Sequence, residues 1–416
     1  MTITASSSRP AIATLGLWLA ALAAALLAQT ALLWVLLALV GASTARAAGW
    51  VRRPWWPAWA LVLLLAVINS TKWPDSDLAE YYQYLAYCRP LDWWVLVSDP
   101  DSHLSVRVTE PVFRSFVWLL AQLSPAPRIS FGLMCSMLIY GMALALSAQV
   151  VNVLNDSDDN PSDPAPVVAV CVALLLGVTF SLTAHLVRQY LAGGVFMLAM
   201  WHFVLHRRPL VLLWAVVAVL VHNSAVLLWL PLMLAWARPL APRLFWAMLL
   251  LAVILTNAGL VGWLNELTAA ATLIKDDGQI GLALPLLDLA VLSGGWWLLR
   301  SSSSGQRLQL LWYFCIAFAA LLLCIREVPL MFFRTYFFLE FLRVPMLALL
   351  LCAGLRRGGD WRAPMAVLAL LCAAGLCWTR VQGAEWTYRS TPQSWPEWLQ
   401  MDRLVDRWQK IEDLRL

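Results

Sequence analysis

Charge is what this sequence has least of. Asp, Glu, Lys and Arg make up 13% of its 416 residues, and 62% are hydrophobic. A soluble domain carries about 25% charged residues, so this chain cannot clothe itself in water and a soluble globular fold is excluded. Lysine is scarce, and no stripe of Lys and Arg interleaved with aromatics occurs, so a nucleic-acid partner is not expected despite the formal net charge of +5. Of the eight cysteines, Cys135, Cys171, Cys315, Cys324, Cys352, Cys372 and Cys377 lie in apolar runs and only Cys88 in a polar loop. That excludes a disulfide framework and zinc-ligand spacing. Also missing are a phosphate-binding Walker loop, a His-Glu-x-x-His metal helix and a Gly-x-Ser-x-Gly nucleophile elbow.

What is present is a succession of apolar runs. They predict an all-α polytopic membrane protein with about 12 transmembrane helices, since each crossing needs about 20 residues. The runs lie near 12–40, 55–70, 129–151, 167–184, 190–205, 209–222, 224–236, 244–262, 281–299, 308–325, 335–355 and 363–380. The first is too long for a signal-peptide core and reads as a retained span. Short-loop arginines orient the chain. Arg46, Arg52 and Arg53; Arg207 and Arg208; Arg238 and Arg243; Arg300 and Arg307; and Arg356, Arg357 and Arg362 all fall on the cytoplasmic side if the N-terminus starts outside. The acidic loop 152–166 has no base and reads as a solvated linker. Residues 1–380 then form one transmembrane domain. The outer side receives the 71–128 loop, the 263–280 and 326–334 loops, and an amphipathic tail, 381–416.

Within the outer loop, Pro111 to Leu123 reads as an interfacial or re-entrant helix, too short to span, with Val112, Phe116, Leu119 and Leu120 on its apolar face. The 25 tryptophans suit anchoring at two membrane interfaces. The short runs 209–222 and 224–236 meet at His222, Asn223 and Ser224. A polar turn at that depth needs protein or a water-filled cavity around it.

Ionisable residues at membrane depth mark pathways and sites, and five groups stand out near outer helix ends. Asp75 and Asp77 can bind sugar hydroxyls or share a divalent ion, and the rings of Tyr81, Tyr82 and Tyr84 that follow can stack on sugar faces. Glu110 precedes the interfacial helix, where a carboxylate can also complement the helix dipole. His185, Arg188 and Gln189 fall at helical spacing, and the Arg188 guanidinium suits a phosphate or diphosphate. His222 stands in the broken hairpin. Arg326, Glu327 and Arg334 precede Glu340 and Arg343, a pair spaced i, i+3 that is expected to bond structurally. Arg334 has no local partner and is the better candidate for function.

Several of these stretches resemble one family. His185-Leu-Val-Arg188-Gln189-Tyr-Leu-Ala192, the basic turn at His206 to Arg208, and Leu220-Val-His222-Asn-Ser224-Ala225 are similar to the Arg-Gln-x-x-Ala helix start and His-x-Ser-Ala turn of the EpsG family of bacterial polysaccharide polymerases. Asp75 to Tyr84, Glu110-Pro111 and Phe333-Arg334-Thr-Tyr336-Phe337 leading to Pro345 follow in the family's order. The sequence departs from the pattern in lacking a compact Asp-Tyr dipeptide and a Gly after Glu-Pro.

The resemblance implies a Wzy-like glycosyltransferase on a GT-C-like scaffold in the bacterial plasma (inner) membrane. It would transfer a growing glycan from polyprenyl diphosphate to a lipid-linked repeat unit at the periplasmic or exterior face, in exopolysaccharide, capsule or O-antigen synthesis. Catalytic candidates are His222, Glu110, Asp75 and Asp77, and substrate-binding candidates are Arg188, Gln189, His185, Arg334 and Tyr81. No metal or other cofactor is required in this reading, although Asp75 and Asp77 leave Mg2+ open. Membrane lipid, the polyprenyl-diphosphate oligosaccharide, a flippase and a chain-length regulator are the expected partners. A GT-C enzyme using a polyprenyl-phosphate sugar would need the same acids and arginines. A lipid-linked oligosaccharide transporter would need matching internal repeats, which the sequence does not show.

Overall fold

The structure is a computed structural model. It describes residues 55–72, 74, 77–98, 110–155, 165–178, 182–206, 212–237, 283–299, 305–325, 329–356 and 404–414, with isolated positions between 243 and 254. The expected spans 12–40 and 363–380, most of 244–262, the 263–280 loop and Asp75, Arg326 and Glu327 lie outside the described residues.

Every described element is helical. In chain order they are α1 Trp56–Asn69, α2 Asp77–Cys88, α3 Trp93–Ser98, α4 Pro111–Leu123, α5 Pro127–Asn155, α6 Ala165–Gly177 and α7 Val187–His206. Then come α8 Leu212–Val221, a 3-10 turn Asn223–Leu228, α9 Trp229–Ala237, α10 Ala283–Leu299 and α11 Gly305–Cys324. The last are α12 Pro329–Tyr336, a second 3-10 turn Phe337–Leu339, α13 Glu340–Arg356 and α14 Leu404–Glu412. Pro127–Asn152 and Arg334–Leu355 are each long and apolar enough to cross a membrane. Leu63, Leu213, Trp214, Val216, Leu230, Met233 and Trp236 are exposed. Such a rim is unsuited to water and suited to lipid.

α13 is the central helix, packed against α5, α6 and α10, while α1 lies along α5 and α8 along α7. Small residues permit the closest approaches. A Cβ on Gly132 of α5 would stand 2.9 Å from the Ser70 Cα just beyond α1, so that contact is closed to any side chain. Gly132→Ala should lower thermal stability by about 1–3 kcal/mol through overpacking, read as a fall in melting temperature in detergent.

Several sequence expectations change. The 71–128 segment is not a loop with one helix: α2 and α3 also form in it, and α2 packs on α4. α4 begins at the expected Pro111, whose fixed φ and missing N–H suit a first helical position. Its buried face, however, is Phe113, Arg114, Val117, Leu120 and Ala121, while Leu119 is exposed. The rotation follows from Arg114, whose Nε donates to the Tyr84 hydroxyl at 3.0 Å and draws that face onto α2.

The expected helix 167–184 stops at Gly177, and His185 falls in the tight turn before α7, not on its face with Arg188 and Gln189. The Leu182 carbonyl accepts from both the His185 and Leu186 N–H groups and closes that turn. The expected helix 335–355 is present as one helical stretch, Arg334–Leu355, with the 3-10 turn Phe337–Leu339 inside it. Likewise 224–236 starts as a 3-10 turn, because Pro231 has no N–H to offer the carbonyl four residues back.

α14 docks where α1 ends and α5 begins. Arg128 Nη1 donates to the carbonyls of Ile411, Glu412 and Leu414 at 2.7–3.0 Å, satisfying groups that a helix C-terminus leaves open. Glu412 in return accepts the Ile129 N–H at 2.8 Å. Arg407 Nε reaches the Thr71 carbonyl and Trp408 Nε1 the Ser70 hydroxyl, both at 2.9 Å.

Candidate active site

Glu110 is the residue on which several helix ends converge. It occupies the N-cap position of α4 but makes no side-chain cap bond, so its carboxylate is not used on the helix dipole. It is 1% exposed, and both oxygens are directed at other elements. Oε2 accepts from Arg188 Nη1 of α7 at 2.6 Å. Oε1 is 2.7 Å from His222 Nδ1 and accepts a longer bond, 3.4 Å, from the Asn223 N–H that opens the 3-10 turn.

The break after α8 makes this possible. Val221 ends the helix, and His222 is extended at φ −153°, ψ 122°. That conformation presents both the imidazole and the next N–H to the carboxylate. A carboxylate can only accept. With neutral imidazole, therefore, Nδ1 carries the proton given to Glu110, and Nε2 holds the free lone pair. The His222 side chain keeps 13% of its surface accessible.

Electrostatics hold Glu110 ionised. Burial pushes its pKa up, but the His222 hydrogen bond and the Arg188 charge outweigh burial and leave it below the ordinary value of 4.5. Asp77, in the first turn of α2, goes the other way: burial raises its pKa, only partly offset by the Arg188 charge.

Arg188 is enclosed. Beyond Glu110, its Nε donates to the Tyr81 hydroxyl at 3.1 Å, and its guanidinium lies 5.5 Å from the Tyr81 ring centroid and 5.9 Å from that of Phe113. Tyr81 was expected to offer its ring to a sugar. Instead it is 1% exposed, with its ring packed against Phe113 and Phe131 at 5.6 and 5.4 Å. Tyr82 and Tyr84 are equally buried.

Arg334 differs from Arg188 in being exposed. It lies in the last turn of α12, which packs against the 3-10 turn following His222. Its charge acts on both Asp77 and His222. Gln189 and His185 are buried. Among the described residues no three His, Cys, Asp or Glu side chains gather as a metal site.

A second polar cluster, which the sequence pointed to only in part, lies deeper. The expected pair is there: Arg343 Nη2 is 2.9 Å from Glu340 Oε1. Arg343 Nη1 also donates to Asp288 of α10 at 3.0 Å, and Nε and Nη2 donate to the Gly177 carbonyl at 3.1 and 2.6 Å. Tyr336 donates to the other Asp288 oxygen, and Tyr190 to Glu340 Oε2 at 2.9 Å. Asp288 was not singled out from the sequence, although an acid inside the apolar run 281–299 is the same signal that marked the other five groups.

Comparison with known proteins identifies the family. The model of the EpsG family matches residues 55–389. No curated protein and no solved structure matches the chain.

Proposed function

The chain belongs to the EpsG family, a family of Wzy-like polysaccharide polymerases, and on that premise we propose that it lengthens a membrane-linked glycan by glycosyl transfer. The observation that carries the reading is the Glu110–His222 pair, a buried carboxylate orienting an accessible imidazole. In the reaction, an acceptor sugar hydroxyl attacks the anomeric carbon of the donor glycan. Its proton passes to His222 Nε2, and the new C–O bond replaces the bond to diphosphate. Polyprenyl diphosphate leaves with that electron pair, so nothing is oxidised or reduced.

Each charged residue has its own task. Glu110 holds His222 in the Nδ1–H tautomer and offsets the imidazolium that forms. Arg188, committed to Glu110 and Tyr81, fixes that carboxylate and adds positive potential. Arg334, exposed beside them, contacts the donor diphosphate and stabilises its developing charge. Asp77, with its raised pKa, stands where acceptor hydroxyls need a hydrogen-bond partner. Gln189 and His185 support the same region. The reaction runs without a required metal, on a GT-C-like scaffold of about 12 spans in the inner membrane, with the site facing outward.

Purified protein in lipid nanodiscs, given the polyprenyl-diphosphate repeat unit, should produce a ladder of products and free polyprenyl diphosphate. A single sugar addition from a polyprenyl-monophosphate donor, with no ladder, would overturn the reading in favour of a monosaccharide transferase. Arg334→Ala should raise the donor KM about tenfold, the loss of one charge-assisted contact, with the acceptor KM unchanged.

A further inference from the structure

The two arginines of the site sit on different helices, and the deep cluster joins those helices. Two residues beyond Arg188 on α7, Tyr190 donates to Glu340. Two residues beyond Arg334, Tyr336 donates to Asp288. Arg343 closes the chain between them, bonding Glu340, Asp288 and the Gly177 carbonyl at the end of α6. All of these side chains are buried: Asp288 is 0% exposed, and Tyr336, Glu340 and Arg343 are 1%.

Position along the chain makes this connection matter. The Tyr336–Asp288 bond falls where α12 gives way to the 3-10 turn Phe337–Leu339. A 3-10 stretch inside a helix has poorer hydrogen-bond geometry than the α-helical turns around it and often marks a hinge, so a side-chain bond there can set direction. α12 is eight residues long, so a bond at its last residue governs how it lies against the 3-10 turn after His222. Arg334 is one half-turn away.

We propose that Asp288 is a positioning residue: through the Tyr336 hydroxyl and Arg343 it holds α12 so that Arg334 faces His222 and the donor's anionic group. The assignment rests on the role given above to Arg334. It concerns no reacting atom, since Asp288 touches neither Glu110 nor His222.

The test is kinetic, in nanodiscs, with donor and acceptor varied separately. Tyr336→Phe removes only the hydroxyl that Asp288 holds, and Asp288→Ala removes the anchor. Both should raise the donor KM about tenfold and leave the acceptor KM unchanged, as Arg334→Ala does. Asp288→Asn keeps an oxygen for Tyr336 and leaves Arg343 paired with Glu340, so it should restore the donor KM to within about threefold of the parent. In an Arg334→Ala background, Tyr336→Phe should raise the donor KM no further, because coupled residues are not additive.

If Asp288→Ala fails to accumulate, Tyr336→Phe and Asp288→Asn still decide the matter. A merely structural defect lowers the number of active molecules, so a fall in apparent kcat with both KM values unchanged would overturn the proposal. So would an equal rise in donor KM with and without Arg334. An Arg334→Ala enzyme with the parent's donor KM would instead remove the anion role of Arg334, and with it the reason for positioning that residue.

Discussion

Glu110→Gln should reduce polymer formation by about 10³-fold, the scale of losing a general base together with its orienting group. Single repeat units should accumulate on the lipid carrier. The substitution keeps the size of the side chain but removes the charge that Arg188 and His222 both use, at 2.6 and 2.7 Å. An amide can present its N–H2 to His222 Nδ1, which then becomes an acceptor. The proton moves to Nε2, and the face that should receive the acceptor's proton already holds one. The effect is therefore one of tautomer as much as of charge.

His222→Ala should be similarly inactive, and the double variant no worse than either single one, because the two residues act as a unit. Separate, multiplying losses would mean that Glu110 acts on something other than His222. The Glu110 pKa also gives a sign for acid stability. A carboxyl depressed below 4.5 contributes stability that is complete above that unfolded value and is lost as pH falls through the lower folded value. Glu110→Gln should therefore flatten stability below about pH 4.5 relative to the parent, measured by melting in detergent across that range.

Arg343→Met should fail to yield folded protein. Arg343 is 1% exposed and supplies donors to Asp288, Glu340 and the Gly177 carbonyl. Removing it takes the guanidinium away from two buried carboxylates and a carbonyl, and leaves the hydroxyls of Tyr336 and Tyr190 to hold two buried negative charges. Breaking even one buried pair costs about 3–5 kcal/mol, a large part of the roughly 5–15 kcal/mol that keeps a domain folded. Arg343→Lys should rescue little, because an ammonium is a point charge and cannot reach partners arranged around a planar fork. The measurement is the monodisperse peak in fluorescence-detected size exclusion after extraction. A peak of normal height and unchanged melting temperature for Arg343→Met would show that the cluster does not hold α6, α10 and α13 together.

Much of the molecule was legible in the linear chain. Residues 56–69, 111–123 and 283–299 lie within two residues of the helices expected from apolar runs and proline starts. His222 was legible as a break because three polar residues interrupt an apolar stretch. The i, i+3 spacing of Glu340 and Arg343 carried their pairing. Other features were not legible. α2 and α3 were missed because their sequences are neither apolar enough for a span nor clearly amphipathic. The buried face of α4 was misjudged because an arginine counts as polar in any pattern, whereas Arg114 is buried on the hydroxyl of Tyr84.

The sequence by itself determined the solvent and the class: with 13% charge and 62% hydrophobic residues, the chain must fold as helices in a membrane, where each backbone polar group has to be satisfied within its own segment. It also determined which residues were costly enough to require a reason. Only the tertiary structure decided what they do to one another. Glu110 and His222 are 112 residues apart, and Arg343 and Gly177 are 166 apart. A hydrogen bond is set by a fraction of an ångström and an angle, and periodicity along a chain carries neither. That is why Arg188 could be recognised as a cation from the sequence, yet only the fold shows it bound to Glu110, with Arg334 left exposed.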